Sequence, residues 1–505
     1  MSRFNLIDEP WIPVRFPDGT RELGIKETLL QAGDILAIED TSPLVVAALH
    51  RFLLAVLYRA LEGPADINQA RALFRGGIPA GKVTAYLDHW RQRFWLFDEH
   101  FPFGQIPAFI PKQWRAWTVL AAEHNADNAK VLFDHIAVEA PGMITEAAAT
   151  RWLLAAQTFS VSCGKSELSH TGTAPSATVA MALPLGRNLS DTLLFALVPQ
   201  SRDVLGQDLP LWERMPETLP SLRAGVERVP SGLADRFTWR TRSILFGPSA
   251  PAGGITSLAF ASGVSCAHDG QLDPMVGYRI DETKGLLPIQ FRERGLWRDF
   301  DSFMPDDSNL APASIQHAIN LARQDSARFP RAMMVLGQSN NKAKIEYWRM
   351  ERFALPGALA GERSIRSDIR RLLGLAEETE KALWSSCSSY AGHILGRGER
   401  TPEAKDIRGF VAQMVPIPHY WTAVEGKFHN VLQGYTLGKD PDEIELDWRI
   451  HLRAALKNAW DQHYASVGAG DAWAIRATVM AEGPVQRKLN DMSEQIKSFH
   501  PKEVS

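Results

Sequence analysis

The chain has 505 residues, with 55 Lys and Arg against 58 Asp and Glu, a formal charge of −3, and a hydrophobic fraction of 45%. That composition belongs to a globular protein with a large core, and the length suggests about two to four domains. A charge so near zero excludes a protein that grips nucleic acid alone through one broad basic face, and leaves local or shared contacts. Cys163, Cys266 and Cys387 stand about a hundred residues apart, too far for short-spaced zinc pairs or a disulfide framework. A reducing cytoplasm and no bound metal or other cofactor are therefore expected.

In chain order, Met1–Asp8 lacks a basic segment followed by an apolar run, so no signal peptide is expected. Trp11–Phe16 alternates like a strand, Pro17-Asp18-Gly19-Thr20 is turn chemistry, and Leu23–Ile25 returns, which predicts a hairpin. Ser42 is a candidate N-cap with Pro43 at the first helical position, and the apolar run Leu44–Leu61 stops at Gly63-Pro64. His50, Arg51 and Arg59 interrupt that run, so it reads as a buried or amphipathic helix and not as a membrane span. A second helix is predicted over Lys82–Phe97. From Phe101 to about Gly361 short strands, such as Phe237–Phe246, alternate with Pro- and Gly-rich turns. After Pro356-Gly357 the pattern turns helical, with segments over Ser364–Leu395, Pro402–Leu432, Pro441–Ser466 and Asp471–Lys497. Ile365, Ile369, Leu372, Leu373, Ala376 and Leu383 share one face of the first. The fold class is therefore α+β: a large mixed α/β domain over 1–360 and a four-helix bundle over 361–505.

Four segments in this order resemble the CasA family, the large subunit of the type I-E CRISPR surveillance complex Cascade. They are Asn5–Val14; Tyr86–Phe97 with Pro102-Phe103-Gly104-Gln105; Asp273–Arg279 with Leu296-Trp297-Arg298-Asp299; and His419-Tyr420-Trp421 with Glu425 and Phe428. The resemblance implies the same two-part fold and a role in antiviral defence. The subunit would recognise the PAM, a short duplex motif beside the target, through the minor groove and help open the duplex for guide-RNA pairing. It would then recruit a helicase–nuclease after R-loop formation. The implied partners are the other Cascade subunits, the CRISPR guide RNA and double-stranded target DNA, with one copy per complex, no membrane, and no catalysis by the chain itself.

By the same resemblance, Gly337–Lys344 is a wedge loop in which Asn340, Asn341, Lys342 and Ala343 face the PAM. Lys342 stands where the family carries a glutamine. Amides and small residues suit a groove that presents a degenerate pattern, and a wedge offsets the cost of unstacking a step. Read on its own, Ser339–Lys342 is also an ordinary polar turn. Gly164 and Lys165 fall where the family has a glycine-rich loop against the groove. Gly164-Lys165-Ser166 also ends like a P-loop, but the required first glycine is Phe159, so the phosphate cradle is absent. Lys284 stands for a minor-groove lysine, or is simply solvated beside Gly285. Leu132, Phe133, Asp134 and His135 fall on a loop that docks on the guide RNA and the adjacent backbone subunit; Val131–Phe133 equally reads as a buried strand. Arg363, Arg366, Arg370 and Arg371 form a solvated helix face or track a displaced strand. The competing functions are a scaffold subunit without DNA contact and a nucleotide hydrolase with an unrecognised site.

Overall fold

The computed structural model describes residues 3–121, 123–124, 142–161, 167–168, 172–248, 254–267, 270–305, 310–323, 325–341, 344–357, 363–468 and 470–499. The chain forms two compact units. One comprises Met1–Leu296 with Ser302–Arg352, the other Trp297–Asp301 with Phe353–Ser505.

The first unit is built around the helix Pro43–Leu61, in which every residue except Arg59 is buried. Ser42 caps it: the Val45 N–H donates to Ser42 Oγ at 3.3 Å, and Pro43 opens the first turn where a missing N–H costs nothing. Glu62 ends it in the left-handed region at φ 51°. The helix is long and apolar enough to cross a membrane by length alone, yet 94% of its most apolar window lies inside the protein. The charge at its centre is accommodated locally. Arg51 Nη1 lies 2.7 Å from Asp273 Oδ2, and its guanidinium stacks 4.3 Å over the Phe237 ring. Phe52 lies in a ring cluster with Trp11, Phe103 and Trp212, at centroid distances of 5.7, 5.9 and 5.6 Å. Phe94 completes the cluster, 5.1 Å from Trp212 and 5.5 Å from Phe103.

The predicted N-terminal hairpin forms, with Ile12–Phe16 paired to Gly19–Leu23. The predicted helix over Lys82–Phe97 does not hold. The helix is Ala80–Trp90, a single 3₁₀ turn follows, and Trp95–Phe97 is a strand antiparallel to Arg3–Asn5. Phe94 and Leu96 point inward while Trp95 and Phe97 are only half-buried, a period of two that suits a strand. The Phe237–Phe246 stretch is also split, into a short helix Leu233–Phe237 and a strand Arg242–Phe246. A three-stranded sheet matters most below. Its order is Lys344–Ala354, Ala332–Asn341, Ala180–Leu185, with Ala332 opposite Leu185 and Gly337 opposite Ala180.

The second unit is a helical bundle, as expected, but two of the four predicted segments are broken. The helices are Arg363–Gly396, Ala404–Val411, Pro416–Thr436, Pro441–Ser466, Ala472–Ala481 and Gly483–Ser498. Pro416 at one break and Pro484 at the other lack the N–H that would continue a helix, and each opens a new one instead. Trp297, Phe300, Phe428 and Trp448 form the aromatic centre, with Trp297 5.2 Å and Phe300 5.5 Å from Phe428. Trp448 Nε1 donates to the Leu372 carbonyl at 2.8 Å, and the Tyr420 hydroxyl to the Ala376 carbonyl at 2.9 Å.

Candidate nucleic-acid interface

Of the three segments singled out for DNA contact, two rest on the strand Ala180–Leu185 and one leads into it along the chain. The first is the hairpin carrying Asn340 and Asn341. Its strand Ala332–Asn341 pairs with Ala180–Leu185, and Gly337 passes so close that a Cβ there would meet the Val179 carbonyl oxygen at 2.0 Å. Only glycine fits that approach. Asn340 is half-buried near the end of the strand, and Asn341 is its last residue. Lys342 and Ala343 lie outside the described residues.

The second segment is the stretch around Gly164 and Lys165, which themselves lie outside the described residues. Its flanks are firmly held. The Ala174 N–H donates to the Ser160 carbonyl at 2.9 Å, closing the base of the loop. Buried Arg242 donates from Nη1 to the Gly172 carbonyl at 2.9 Å and from Nη2 to the Val161 carbonyl. Farther along, the Glu167 carboxylate accepts the N–H groups of Lys112 and Gln113 at 3.0 and 3.3 Å, and Leu168 packs in a core cluster with Phe109 and Trp239.

The third is the hairpin Tyr278–Asp281 with Gly285–Pro288, whose turn carries Lys284. The Ala182 N–H donates to the Met275 carbonyl at 2.7 Å and the Ala180 N–H to the Ile289 carbonyl at 2.9 Å, so both ends of this hairpin sit on the same strand. Lys284 is exposed in the turn. The Asp281 carboxylate accepts from the Thr283 hydroxyl at 2.8 Å and from the Thr283 and Lys284 N–H groups at 3.0 and 2.9 Å. Those donors, the Thr283 hydroxyl above all, hold the Asp281 carboxyl below the usual range. The turn is thus fixed by its own aspartate, and Lys284 has no ion-pair partner among the described residues.

Leu132, Phe133, Asp134 and His135 lie outside the described residues. The ends of their segment are anchored to adjacent positions: the Trp117 N–H donates to the Thr256 carbonyl at 3.2 Å, and the Ile144 N–H to the Ile255 carbonyl at 3.0 Å. Between them, Glu123 accepts a hydrogen bond from Ser42, the cap of the central helix. Burial raises the Glu123 carboxyl to about 7, with Asp40 nearby adding to the rise. The arginines at the start of the bundle are partly committed within it. Arg370 lies 3.4 Å from Asp301, and Arg371 pairs with Asp368 at 3.1 Å and with Glu445. Among the described residues, no three of His, Cys, Asp or Glu gather where they could hold a metal.

The profile of the CRISPR-associated protein Cse1 family matches residues 5–459. The CRISPR-associated protein CasA/Cse1 of Thermus thermophilus is 32% identical over 512 residues, covering 99% of both chains. This chain belongs to the CasA/Cse1 family. The crystal structure of Thermus thermophilus CasA superposes with a TM-score of 0.85 at 31% identity, over 97% of this chain and 100% of that one. A chain of a structure described as a CRISPR RNA-guided surveillance complex shares the fold, with a TM-score of 0.73 at 17% identity, over 98% of this chain and 100% of that one.

Within this CasA/Cse1 chain, two residues matter to the candidate interface that sequence reading missed. Gln338 is fully buried, and its Nε2 donates to the Phe159 carbonyl at 2.8 Å and the Ala177 carbonyl at 2.9 Å. It lies inside the wedge segment Gly337–Lys344, where nothing in the sequence sets it apart from its polar neighbours. Arg242 carried a usable signal: a charge in a strand of otherwise small or apolar residues is rarely buried without a specific set of acceptors.

Proposed function

We propose that this CasA/Cse1-family chain, as the large subunit of a type I-E CRISPR surveillance complex, reads the PAM in target DNA from the minor groove. It helps open the adjacent base pair for guide-RNA pairing, and it recruits a helicase–nuclease once the R-loop has formed. Its partners are the other Cascade subunits, the guide RNA and double-stranded target DNA. Guide pairing reads the sequence while the chain reads the short duplex element, the division of labour found in other RNA-guided effectors. The chain works in the cytoplasm as a recognition subunit and performs no chemical step of its own. The observation that carries the reading is that the wedge hairpin and the Lys284 hairpin both rest on Ala180–Leu185, the strand into which the chain runs from the Gly164 stretch. A near-neutral chain must concentrate its DNA contacts, and this strand supports two of the candidate hairpins together.

The test is R-loop formation by the assembled complex. Lys342→Ala slows R-loop formation on intact duplex about tenfold, because unstacking a step costs a few kcal/mol and the variant loses part of the offset. A target already mismatched beside the PAM restores the rate. Asn341→Ala instead narrows the difference between PAM-bearing and PAM-free duplexes, and the mismatched target rescues it less. Parent-like rates for both variants on intact duplex, with assembly confirmed, would remove the DNA-reading function and leave a scaffold subunit.

A further inference from the structure

We propose that Gln338 and Arg242 form a buried brace that holds the loop between Phe159 and Ala177 in register with the hairpin strand Ala332–Asn341, which makes Gln338 a positioning residue for PAM discrimination. The inference rests on the function proposed above. Phe159 is the last residue of the helix Glu146–Phe159, so its carbonyl has no intrahelical partner. Ala177 closes the turn that leads into the strand Ala180–Leu185. One side-chain nitrogen with two hydrogens satisfies both carbonyls, and it comes from the hairpin strand three residues before Asn341. Gly337 is what allows this. Without a Cβ the strand presses against the Val179 carbonyl, and that approach brings the next residue, Gln338, within reach of both flanks of the loop.

Arg242 works from the other side of the same loop, bridging the Val161 and Gly172 carbonyls. Its own backbone is fixed by Gln157, whose Nε2 donates to the Arg242 carbonyl at 2.9 Å and whose Oε1 accepts the Arg242 N–H at 2.8 Å. The loop is therefore gripped at Phe159 and Val161 on one flank and at Gly172 and Ala177 on the other. The residue gripping the outer pair is part of the hairpin itself. Displacing Phe159 or Ala177 from the hairpin strand breaks the Gln338 bonds. A groove reader built from two loops depends on such a shared support, because contacts held loosely lose both rate and selectivity.

The experiment uses the full chain assembled with guide RNA and its partner subunits. Gln338→Met keeps the length and burial of the side chain but donates to neither carbonyl. The ratio of association rates on PAM-bearing and PAM-free duplex falls about tenfold, the scale of losing buried hydrogen bonds. Pre-melting the target beside the PAM rescues Gln338→Met no better than it rescues Asn341→Ala, because PAM reading and not duplex opening is what the variant loses. In a double-mutant cycle, Gln338→Met adds little to Asn341→Ala, because both act through one hairpin; a merely structural defect would multiply with it. If Gln338→Met fails to assemble, Arg242→Lys serves, since it keeps the charge but cannot span both carbonyls; the same loss of discrimination is expected. Parent-like discrimination in either brace variant, where Asn341→Ala is impaired, overturns the brace and leaves the proposed function standing. Full rescue by the pre-melted target, the mark of an opening defect like that of Lys342→Ala, also overturns it. Parent-like behaviour of the brace variants and Asn341→Ala together overturns both.

Discussion

Asp273→Ala destabilises the first unit by about 3–5 kcal/mol, the usual cost of leaving a buried charge without its partner. Arg51 lies in the middle of the central helix and is fully buried, and Asp273 is the carboxylate 2.7 Å from it. Asp273 does more than neutralise. Its Oδ1 accepts the Met275 N–H at 3.0 Å, and its own N–H donates to the Tyr278 hydroxyl at 2.9 Å. These bonds shape the segment that enters the Lys284 hairpin, whose Met275 carbonyl rests on Ala182. The same change is therefore expected to weaken DNA recognition at the hairpin as well as the core. Chemical denaturation at neutral pH measures the first effect. The double variant Arg51→Met with Asp273→Leu recovers most of the loss, because replacing both charges with apolar groups removes the orphaned cation. A single variant within about 1 kcal/mol of the parent would mean that water reaches Arg51 and that the pair is not the buried lock described here.

The segments that made the family legible hold packing residues, and the segments proposed to read DNA are not among them. Trp11, Phe94 and Phe103 come from two of the resembling segments and meet in one ring cluster. Asn5 Nδ2 donates to the Arg91 carbonyl at 3.2 Å, and Gln105 Nε2 donates to the Leu96 carbonyl at 2.6 Å, so even their polar members are internal ties. Tyr86 donates to Glu213 at 2.6 Å and accepts from Trp212 Nε1 at the same distance. In the bundle, Arg298 stacks 3.6 Å over Trp421 and reaches Glu377 with two bonds of 2.8 and 2.9 Å. Large buried side chains with several partners leave a strong imprint on sequence. A residue with few such partners leaves a weaker imprint.

Periodicity served the bundle well because a long helix carries its own signal. It failed at Lys82–Phe97 because the strand there is defined by Arg3–Asn5, some ninety residues away, and no local pattern encodes that partner. The helix Ile67–Gly76 went unread although Asp66 accepts the N–H groups of Asn68 and Gln69 at 2.8 and 2.9 Å, a capping signal visible in the sequence. Gln338 was illegible for a different reason. Its role depends on two carbonyls brought together by segments about 160 and 180 residues earlier in the chain.

Acidification should unfold the first unit through His50 and His317. Both are buried, and burial lowers each imidazole from 6.5 to about 4. The His50 ring lies 2.8 Å from the Val46 carbonyl through Nδ1, which suits the neutral tautomer with its proton on that nitrogen. His317 Nε2 has no hydrogen-bond partner among the described residues, so a second proton there would be a buried, unmatched charge. The sign follows from the direction of the shift. The unfolded chain takes up a proton near 6.5 while the folded chain resists until about 4, so the stability present above pH 6.5 is lost as the pH falls through that window. By pH 5 the loss is about 2 kcal/mol for each histidine, or about 4 kcal/mol for the pair. Other groups titrate over the same range, so the informative quantity is the difference between the parent and the double variant His50→Leu with His317→Leu. Denaturation midpoints at pH 8 and pH 5 give it directly: the parent loses the extra stability, and the variant keeps it. Equal losses in the two proteins would show that water or a rearranged partner reaches the rings on protonation, and that neither histidine sets the acid limit of the fold.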